Sequence, residues 1–303
     1  MDNPLISVII PAYNSHETIK DTMKGATKLS ASFDFEIIVI DSSPNEDTAN
    51  IIHQFPNANL IRSKNKLTPG QARNAGVIDA KGTFLAFTDS DTEIPPDWLT
   101  KIKDAIDKGH DFIAGSIGNS PRNDNFFSRA EYYFEFNEHS PYRPAGEVQF
   151  AGSCNFICRK DMFEKAGGFP EHRGAEDVIL SRKIRELGIK TYFHPEIVIY
   201  HRNRRTAKKV RISSVILGKY NGLFRKMGLL PNFNIINNPL VCWFFVPLFV
   251  AYKTARIIYR VMNTKDPRKW EFIRTFPVYF FIIFYWTVGF YIGAYSKKID
   301  ITK

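Results

Sequence analysis

The chain has 303 residues, of which 44% are hydrophobic, and its formal net charge at pH 7 is +10. This length excludes a single small domain and suits one large α/β domain with an appended region. Three cysteines, Cys154, Cys158 and Cys242, exclude a disulfide framework, and their spacing does not fit a zinc site, so we expect all three to be buried apolar residues.

The charge divides the chain into two unlike parts. Residues 1–200 hold 22 Lys and Arg against 28 Asp and Glu, whereas residues 201–303 hold 19 basic and 3 acidic residues. The basic part also contains the most apolar windows, LVCWFFVPLFVAY and FPVYFFIIFYWTVGFYIGAY. Basic residues that flank apolar segments rich in Trp and Tyr indicate membrane association. Nucleic acid binding would leave the apolar windows unexplained, so we expect no nucleic acid partner.

From the N-terminus, strand-like and helix-like segments alternate. LISVIIPAYN predicts a strand that ends at Pro11, and SHETIKDTMKGATKL predicts a helix with Ser15 as its N-cap. FEIIVIDSS predicts a second buried strand that ends in Asp41, before a helix in NEDTANIIHQF and a third strand in NANLIRSKN. The first apolar run has no basic segment before it, so it does not predict a signal peptide, and we expect this part of the chain in the reducing cytosol.

The same alternation continues to about residue 115. TPGQARNAGVIDA predicts a helix, GTFLAFTDSD a fourth strand and PPDWLTKIKDAI another helix. Strands that alternate with helices indicate βαβ units and a parallel sheet. In open α/β sheets, ligands bind beyond the carboxyl ends of the strands, and Asn14, Asp41 and Asp89 all fall at such ends.

The common nucleotide-binding motifs are absent from the sequence. No G-x-G-x-x-G follows the first strand and no G-x-x-x-x-G-K-[ST] occurs. The sequence therefore lacks the main evidence for a dinucleotide-binding site or a P-loop. Within GQARNAG, Arg73 could reach a phosphate near the N-terminus of a helix. Alternatively, the small residues of this segment only permit close packing of the helix on the sheet.

Asp89 and Asp91 stand one residue apart in FLAFTDSDTEIPPDWL. Two carboxylates about 4 Å apart repel by roughly 4 kcal/mol at an effective dielectric near 20, and a hard divalent cation such as Mg²⁺ or Mn²⁺ relieves this repulsion. In an extended segment, residues i and i+2 point to the same side, so both aspartates can address one ion. The alternative is a solvated turn, because Asp and Ser are common turn residues.

Residues 145–201 follow a less regular pattern. EVQFAGSCNFICRKDMFEKAGGFPE predicts a strand pair, or a strand and a short helix, before a Gly-Gly-Phe-Pro turn. RGAEDVILSRKIRELG predicts an amphipathic helix with Glu176 and Asp177 in its first turn, where the helix dipole favours carboxylates without any catalytic role. IKTYFHPEIVIYHRN predicts a final strand with His201 at its end, and a single histidine is more often structural than a ligand.

Taken together, six segments in this order resemble the family 2 glycosyltransferases, which have the GT-A nucleotide-sugar fold. The segments are VIIPAYN, IIVIDSS, GQARNAG, TDSD, GGFPE and AEDVILSRKIRELG, and the resemblance covers about residues 5–205. It implies an α/β GT-A domain over residues 1–205, with a mostly parallel sheet flanked by helices. It also implies an inverting transfer of a sugar from a nucleoside diphosphate sugar to an acceptor hydroxyl.

The resemblance assigns donor and metal binding to particular residues. The residues that would bind the donor are Pro11, Ala12, Tyr13, Asn14, Asp41, Arg73 and Asp89. Among them, Asp41 would hydrogen-bond the base, and Arg73 would lie near the base or the diphosphate. A divalent metal, Mn²⁺ or Mg²⁺, would be held by Asp91 with Asp89 and His201, and it would bridge the diphosphate.

The resemblance also implies the catalytic residues and the type of reaction. Asp177 would be the general base that deprotonates the acceptor hydroxyl, and Glu176 would orient it or touch the acceptor. Processive relatives carry Q-x-x-R-W after this segment, but HRNRRTAKKVR has neither Gln nor Trp, so we expect a single-addition enzyme. Two alternatives stay open, namely a polyprenyl-phosphate sugar synthase and a non-catalytic membrane accessory module.

Residues 206–303 are expected to form a basic, apolar, membrane-associated region with one or two transmembrane segments, at about 238–258 and 276–295. Phe276 to Tyr295 is a run of 20 residues without charge, which as a helix reaches roughly 30 Å, the thickness of a hydrocarbon core. The earlier window contains Pro247 and could span only by recruiting its flanking residues, with Lys253 and Arg256 snorkelling.

The basic residues around these segments bear on the orientation of the chain. The stretch from Lys253 to Arg274 holds seven basic and two acidic residues, which argues against its lying outside the cell. Either the first segment is re-entrant or interfacial, or a short hairpin tolerates a basic turn. In both cases we expect a cytoplasmic catalytic domain, with RNRRTAKKVR against anionic headgroups. This placement favours an acceptor presented at the membrane, such as a lipid-linked sugar or a polyprenyl phosphate, in polysaccharide or glycolipid assembly.

Overall fold

The computed structural model describes residues 4–230 and 238–296. The chain divides into two compact units, one of Met1–Ser120 with His139–His201 and the other of Pro121–Glu138 with Arg202–Lys303. The domain boundary that we predict at residue 205 stays a prediction. All three cysteines are buried and their thiols are free, as their number and spacing predict.

The chain forms nine strands and eleven α-helices in its described residues. The strands are β1 (Ile6–Ala12), β2 (Phe35–Asp41), β3 (Ala58–Arg62), β4 (Phe84–Phe87), β5 (Thr92–Glu93), β6 (Phe112–Asn119), β7 (Gly146–Val148), β8 (Phe156–Arg159) and β9 (Thr191–His201). The helices are α1 (Ile19–Ala26), α2 (Asp47–Ile52), α3 (Pro69–Asp79), α4 (Trp98–Asp107), α5 (Phe126–Phe136), α6 (Lys160–Lys165), α7 (Glu176–Glu186), α8 (Ala207–Lys226), α9 (Pro239–Met262), α10 (Lys269–Arg274) and α11 (Phe276–Tyr295).

The first unit is built on one sheet with the spatial order β3-β2-β1-β4-β8-β6-β9-β5, with β7 beside β9. Most paired positions lie in parallel ladders, which join β1 to β2 and β4, β2 to β3, and β6 to β9. The central strands are near-continuous apolar runs because helices cover a parallel sheet on both faces. The predicted α/β alternation with a mostly parallel sheet is therefore confirmed.

Two details predicted for the first strand and helix are wrong. Strand β1 continues through Pro11, because its pairing with β4 stops at Ile9 and the missing N–H of Pro11 removes no ladder bond on that side. Helix α1 begins at Ile19 rather than after Ser15. The carbonyl of Ser15 accepts hydrogen bonds from Thr18 N–H and Ile19 N–H, and its hydroxyl is hydrogen-bonded to Ser90 instead.

Five elements, β5, β6, α5, α8 and α10, have no counterpart in the sequence-based prediction. Strand β6 is buried along its whole length, but its sequence FIAGSIGN mixes glycine and serine with apolar residues, which obscures the pattern. Strand β5 has two residues, too few for a periodicity, and helix α5 lies in the second unit. Strand β8 and helix α6 match one of the two predictions for their segment, a strand followed by a short helix.

The second unit is helical and has an aromatic core. Side chains of α5, α10 and α11 meet in it, among them Tyr133, Phe272, Tyr279 and Trp286. Two helical segments, Val241–Met262 and Phe276–Tyr295, are long and apolar enough to cross a membrane by length and composition. Helix α9 passes through Pro247 without ending. Lys297 and Lys298, which close the second apolar run in the sequence, lie outside the described residues.

Helices α8 and α11 approach each other backbone to backbone through glycines. Each helix has two glycines four residues apart, which are Gly218 and Gly222 in α8 and Gly289 and Gly293 in α11. A Cβ atom at Gly289 would lie 2.1 Å from the carbonyl oxygen of Val215. Small residues at this spacing let two helices pack with their backbones in close contact.

The substitution Gly289→Ala should destabilise the second unit, because the added methyl group meets a backbone carbonyl that cannot move without shifting α8. We expect a loss of about 1–3 kcal/mol, as for other overpacked sites, and a lower melting temperature in detergent. The neighbouring Val288→Ala, on the exposed side of α11, is the matched control and should change the melting temperature little. Equal melting temperatures for the two variants would contradict this packing.

Candidate active site

The carboxyl ends of β1, β2 and β3 form the first part of the site. Asp41, the last residue of β2, is fully buried, and its carboxylate accepts hydrogen bonds from Ser43 N–H at 2.9 Å and from Arg62 Nη1 at 3.0 Å. The parallel register of β2 and β3 places Arg62 opposite Asp41. Arg62 is not among the predicted site residues, although an arginine at the end of the third predicted strand was a usable signal.

The loop after β1 carries Tyr13 and Asn14 at the same edge of the sheet. The ring of Tyr13 is 39% exposed, and the ammonium of Lys66 lies 4.5 Å from its centre. Asn14 has a φ of +50° and donates its N–H to Ser43 Oγ at 2.8 Å. Of the two remaining predicted donor residues, Pro11 is half-buried and Ala12 is buried as the last residue of β1. An exposed ring beside buried polar groups can stack on a flat ligand.

Asp89 and Asp91 flank a turn, so the extended conformation that we expected for them is wrong, although both carboxylates can address one ion as expected. Strand β4 ends at Phe87, and the hydroxyl of Thr92 closes the turn by donating to the carbonyl oxygen of Asp89 at 2.8 Å. The two-residue strand β5 follows at once and pairs with the end of β9, which sets Thr92 opposite His201. This short strand explains how His201 comes to lie beside the aspartates.

One ligand atom from each of Asp89, Asp91 and His201 lies within 4.8 Å of the others. His201 Nε2 is 3.3 Å from Asp91 Oδ1, and the imidazole is buried whereas the two carboxylates are half-buried. Two carboxylates and one imidazole are donors that suit Mn²⁺ and Mg²⁺. These residues can therefore hold a divalent cation, and the chemistry of the donor set fits the predicted metal.

A buried arginine joins this cluster to helix α7. Arg73, only 2% exposed, donates from Nη2 to Asp89 Oδ1 at 2.6 Å, and its Nη1 lies 3.6 Å from Glu176 Oε1. The guanidinium also lies 5.3 Å from the centre of the Phe169 ring. Burial lowers the pKa of Arg73, but the carboxylates of Asp89, Glu176 and Asp177 outweigh this effect and raise it above its ordinary value. Arg73 therefore stays cationic between the two acidic groups.

Asp177 is the carboxylate with the most unusual titration in the site. Its Oδ2 accepts a hydrogen bond from Ser153 N–H at 3.1 Å, and its Oδ1 accepts one from Val178 N–H at 2.8 Å. Burial, followed by repulsion from Glu176, raises the pKa of Asp177 to about 6. A carboxylate with a pKa near neutrality is suited to take a proton from a hydroxyl group at physiological pH.

Asp177 accepts its hydrogen bond from the short helical turn Ser153–Asn155, and the side chain of Asn155 anchors this turn in the sheet. The Nδ2 of this buried side chain donates to the carbonyl oxygens of Ser116 and Ile197, both at 2.8 Å, and its Oδ1 accepts from Trp98 Nε1 at 3.1 Å. A Cβ atom at Gly115, where the register of β6 and β9 shifts, would lie 2.2 Å from Asn155 Nδ2. The register shift and the absence of a side chain at Gly115 thus make room for the side chain of Asn155. Its hydrogen bonds hold the turn Ser153–Asn155 in place.

Backbone strain is concentrated in the two loops of this site. In the part of the chain that the structure describes, Asn14 and Ala175 are the non-glycine residues with positive φ, at +50° and +54°. Asn14 follows β1, and Ala175 is the N-cap of α7, directly before Glu176 and Asp177. Such conformations cost about 1–3 kcal/mol each and are typical of functional sites. The sequence gives no signal for the strain at Ala175.

The family can be assigned by comparison with known proteins. Residues 7–167 match a protein-family model described as glycosyl transferase family 2. The chain belongs to this family. Family 2 enzymes are inverting glycosyltransferases, so the predicted family and the predicted class of enzyme are confirmed.

Two curated family 2 relatives are similar over most of this chain. The chain is 30% identical over 255 residues to the Escherichia coli UDP-Glc:alpha-D-GlcNAc-diphosphoundecaprenol beta-1,3-glucosyltransferase WfaP, covering 80% of this chain and 92% of that enzyme. It is 26% identical over 205 residues to glycosyltransferase AglE of Haloferax volcanii, covering 65% of this chain and 67% of that protein.

Solved structures of glycosyltransferases share the fold. The mannosyltransferase PcManGT of Pyrobaculum calidifontis, in complex with GDP-Man and Mn²⁺, superposes with a TM-score of 0.62 at 16% identity, over 96% of this chain and 88% of that one. Residues 1–349 of S. aureus TarS, in complex with UDP-GlcNAc, superpose with a TM-score of 0.53 at 18% identity, over 94% and 90%. The predicted GT-A fold is confirmed.

The substitution Asp177→Asn should stabilise the protein in a pH-dependent way. The folded pKa of about 6 exceeds the unfolded value near 3.9, so the stability that Asp177 contributes at low pH is lost as the pH rises toward 6. Asparagine does not titrate. The advantage of the variant in free energy of unfolding should therefore grow between pH 4 and pH 6, by about 1–3 kcal/mol, and stay constant above.

Chemical unfolding in detergent at several pH values measures this difference. The matched control is Asp104→Asn, which changes an exposed carboxylate on α4 and should show no comparable growth with pH. A constant difference between Asp177→Asn and the wild type from pH 4 to pH 8 would contradict the raised pKa.

Proposed function

We propose that this family 2 enzyme transfers a sugar from a nucleoside diphosphate sugar to a hydroxyl group of a lipid-linked acceptor at the cytosolic face of a membrane. The observation that carries this proposal is the linkage of Asp89, Arg73 and Glu176, which joins the metal-binding residues to the first turn of α7 and hence to Asp177. Such a chain of contacts suits a reaction in which a leaving group and an attacking hydroxyl are activated together.

The donor nucleoside would bind at the carboxyl ends of β1 and β2. The proposed donor-binding residues are Pro11, Ala12, Tyr13, Asn14, Asp41, Arg73 and Asp89. The exposed ring of Tyr13 is available for contact with a base, and Asp41 is held in place by Arg62. Solved structures that share the fold contain UDP, UDP-GlcNAc or GDP-Man, which supports a nucleotide sugar as donor.

The leaving group would be handled by Asp89, Asp91 and His201. These residues would hold a divalent cation, Mn²⁺ or Mg²⁺, and the cation would supply positive charge that offsets the negative charge developing on the leaving diphosphate. Asp89 also accepts the hydrogen bond from Arg73, which orients its carboxylate. The Pyrobaculum calidifontis mannosyltransferase was solved in complex with Mn²⁺, which supports this choice of metal.

Asp177 would act as the general base that removes the proton from the acceptor hydroxyl. Its two hydrogen bonds from Ser153 and Val178 fix the direction of the carboxylate, and its raised pKa makes it a better proton acceptor than an ordinary aspartate. Glu176 would orient this base or touch the acceptor. The carboxylate of Glu176 lies 3.6 Å from Arg73 Nη1, and its negative charge helps to raise the pKa of Asp177.

The acceptor would be a lipid-linked sugar used in polysaccharide or glycolipid assembly. The name of the E. coli relative specifies a diphosphoundecaprenol-linked sugar as the acceptor of that enzyme. The two helical segments of membrane-spanning length also support an acceptor presented in a bilayer. Exposed apolar residues of these helices, such as Phe244, Leu248 and Phe284, would face lipid.

The orientation that we propose places the catalytic residues in the cytosol. The run RNRRTAKKVR is strongly basic, and basic segments near membrane helices remain on the cytosolic side, so the catalytic residues before it would be cytosolic. The stretch between Lys253 and Arg274 is also basic, and it would lie on the same side if the segment Val241–Met262 re-enters the membrane instead of crossing it. These segments would also attract anionic lipids, at around 1 kcal/mol per basic residue near the surface.

Metal removal should abolish donor binding. Isothermal titration of UDP-, GDP-, ADP- and CDP-sugars into the purified protein with Mn²⁺ should identify one nucleotide that binds, and EDTA should eliminate this binding. Asp91→Asn should weaken it at least tenfold, because a carboxylate ligand is lost, whereas the exposed Asp97→Asn should leave it unchanged. Binding of the same nucleotide in the presence of EDTA would contradict the metal site.

The Asp177→Asn variant separates the proposed reaction from its main alternative. With a lipid-linked sugar as acceptor, kcat should fall about 10²–10⁴-fold while donor binding is retained, because the general base is lost. A polyprenyl-phosphate acceptor is already an anion and needs no base. Transfer to a polyprenyl phosphate that survives Asp177→Asn would therefore favour a polyprenyl-phosphate sugar synthase.

A further inference from the structure

Helices α8 and α11 of the second unit lie side by side and run in the same direction. A Cβ atom at Gly289 would meet the carbonyl oxygen of Val215, and four residues further along both helices, a Cβ atom at Gly293 would meet the carbonyl oxygen of Lys219. The residue numbers of the two helices thus rise together along the contact. Helix α8 therefore leads from the start of the helical bundle to its far end.

Helix α9 packs against α11 in the opposite direction. Early in α9, the carbonyl oxygen of Trp243 accepts a hydrogen bond at 3.3 Å from the hydroxyl of Tyr291, which is near the end of α11. Later in α9, Thr254 Oγ1 accepts one at 3.2 Å from the hydroxyl of Tyr279, which is near the start of α11. Helix α9 therefore begins where α8 and α11 end, and it returns to the end of the bundle where they begin.

One end of this bundle, called the α5 end, is held together by helix α5. Arg204, in the segment before α8, has its Nη1 at 2.9 Å from Glu131 Oε1 of α5. In the connection between α9 and α11, the carbonyl oxygen of Arg268 accepts a hydrogen bond from the hydroxyl of Tyr133 of α5 at 3.1 Å. The segment before α8 and the connection between α9 and α11 therefore lie on the same side of a membrane.

Helix α8 is unsuited to cross a membrane. It carries six Lys or Arg residues among its 20 residues. Its longest run without one of them, residues 212–218, covers only about 10 Å of a hydrocarbon core that is about 30 Å thick. Basic residues within the core are strongly unfavourable. The other end of the bundle, called the Ser296 end, where Lys226 Nζ donates to the carbonyl oxygen of Ser296 at 2.8 Å, would therefore lie on the same side as the α5 end.

This placement of the two ends bears on the two apolar helical segments. Val241–Met262 and Phe276–Tyr295 extend between the same two ends as α8. With both ends on one side, the two segments would lie along the membrane surface, although each is long enough to cross. Their exposed side chains are apolar and include Phe244 and Leu248 in α9 and Phe284 in α11. Helices that lie in the membrane interface bury such side chains below the headgroups.

We propose that the second unit binds the cytosolic leaflet of an anionic membrane without crossing it, with the exposed apolar side chains of α9 and α11 among the acyl chains. The inference takes the cytosolic side from the proposed function and adds the path of the helices. Basic residues at both ends of the bundle complement anionic headgroups, and the exposed rings of Trp243 and Trp270 suit the headgroup level. The competing arrangement is a transmembrane bundle in which α8 crosses together with α9 and α11.

Thiol labelling measures the side of the membrane that each end of the bundle faces. Lys265→Cys marks the α5 end, whereas Asn238→Cys and Ser296→Cys mark the Ser296 end. The full-length variants are produced in a Gram-negative host, and a membrane-impermeant maleimide is added to intact spheroplasts or to lysed cells. The wild type is the blank, because its three cysteines are buried.

All three variants should be labelled only after lysis. Labelling of Asn238→Cys and Ser296→Cys in intact spheroplasts, with Lys265→Cys protected, would overturn the inference in favour of three crossing helices. Labelling of Lys265→Cys alone in intact spheroplasts would overturn it in favour of a crossing pair, α9 and α11. Labelling of all three in intact spheroplasts would support helices along the surface but place them on the outer side, so the orientation in the proposed function would fail.

Depth measurements test the same arrangement independently of the maleimide. Spin labels at Phe280, Phe284, Val288 and Ile292, four exposed positions of α11, are compared for their accessibility to oxygen and to a nickel chelate in liposomes that contain phosphatidylglycerol. A helix along the surface should give the same depth at all four positions. A crossing helix would place Phe284 near the bilayer centre and Ile292 about 10 Å shallower, and this profile would overturn the inference. The exposed Ile78 of α3 is the control and should be accessible to the nickel chelate.

Vesicle binding tests the choice of an anionic lipid. The purified full-length protein, diluted from detergent into preformed vesicles, should bind vesicles with phosphatidylglycerol at least tenfold more tightly than vesicles of phosphatidylcholine alone. The double variant Lys208→Gln/Lys209→Gln at the start of α8 should lose about tenfold of this affinity. The matched control, Lys20→Gln/Lys24→Gln on α1, should bind like the wild type. Equal binding to both kinds of vesicle would overturn the assignment to anionic lipid.

Discussion

The arrangement of the candidate site depends on one buried cation. Arg73 is enclosed by the protein and contacts Asp89 on one side and Glu176 on the other. Without this guanidinium, two acidic groups from different parts of the chain would face each other in a poorly solvated region, and their repulsion would drive them apart or protonate them. With it, the turn that carries Asp89 and Asp91 and the first turn of α7 are held together, so the geometry of each depends on the other.

The site combines this electrostatic balance with local conformations that oppose stability. Asn14 and Ala175 hold strained backbone on either side of it, and Asp177 keeps a carboxylate in surroundings that favour its protonated form. The sheet maintains these features. Asn155 donates hydrogen bonds to carbonyl oxygens at the bulge between β6 and β9, and it thereby holds the turn whose Ser153 N–H donates to Asp177. The strained loops lower the free energy of unfolding, and the packing of the sheet and helices beneath them offsets this loss.

The sequence predicts the central sheet because long β-branched runs and amphipathic helices have distinct periods. The resemblance to a family supplies candidate site residues, and the fold brings Arg73, Asp89, Asp91 and His201 near one another. The prediction fails where tertiary contacts decide. Pro11 remains in its strand because pairing with β4 has already ended, and His201 reaches Asp91 through a strand of two residues that has no period. Ser153 acts through its backbone N–H, which no residue type reveals.

We propose that Arg73 couples Asp89 and Asp91, the proposed metal ligands, to Asp177, the proposed general base. The measurement that tests it most directly is the pH dependence of kcat/KM in the wild type and in Arg73→Gln. In the wild type, kcat/KM should fall tenfold per pH unit below about pH 6, where Asp177 takes up a proton. Because Arg73 lowers the pKa of Asp177, the variant should lose activity at a higher pH. An acid limb at the same pH in both enzymes would contradict the coupling.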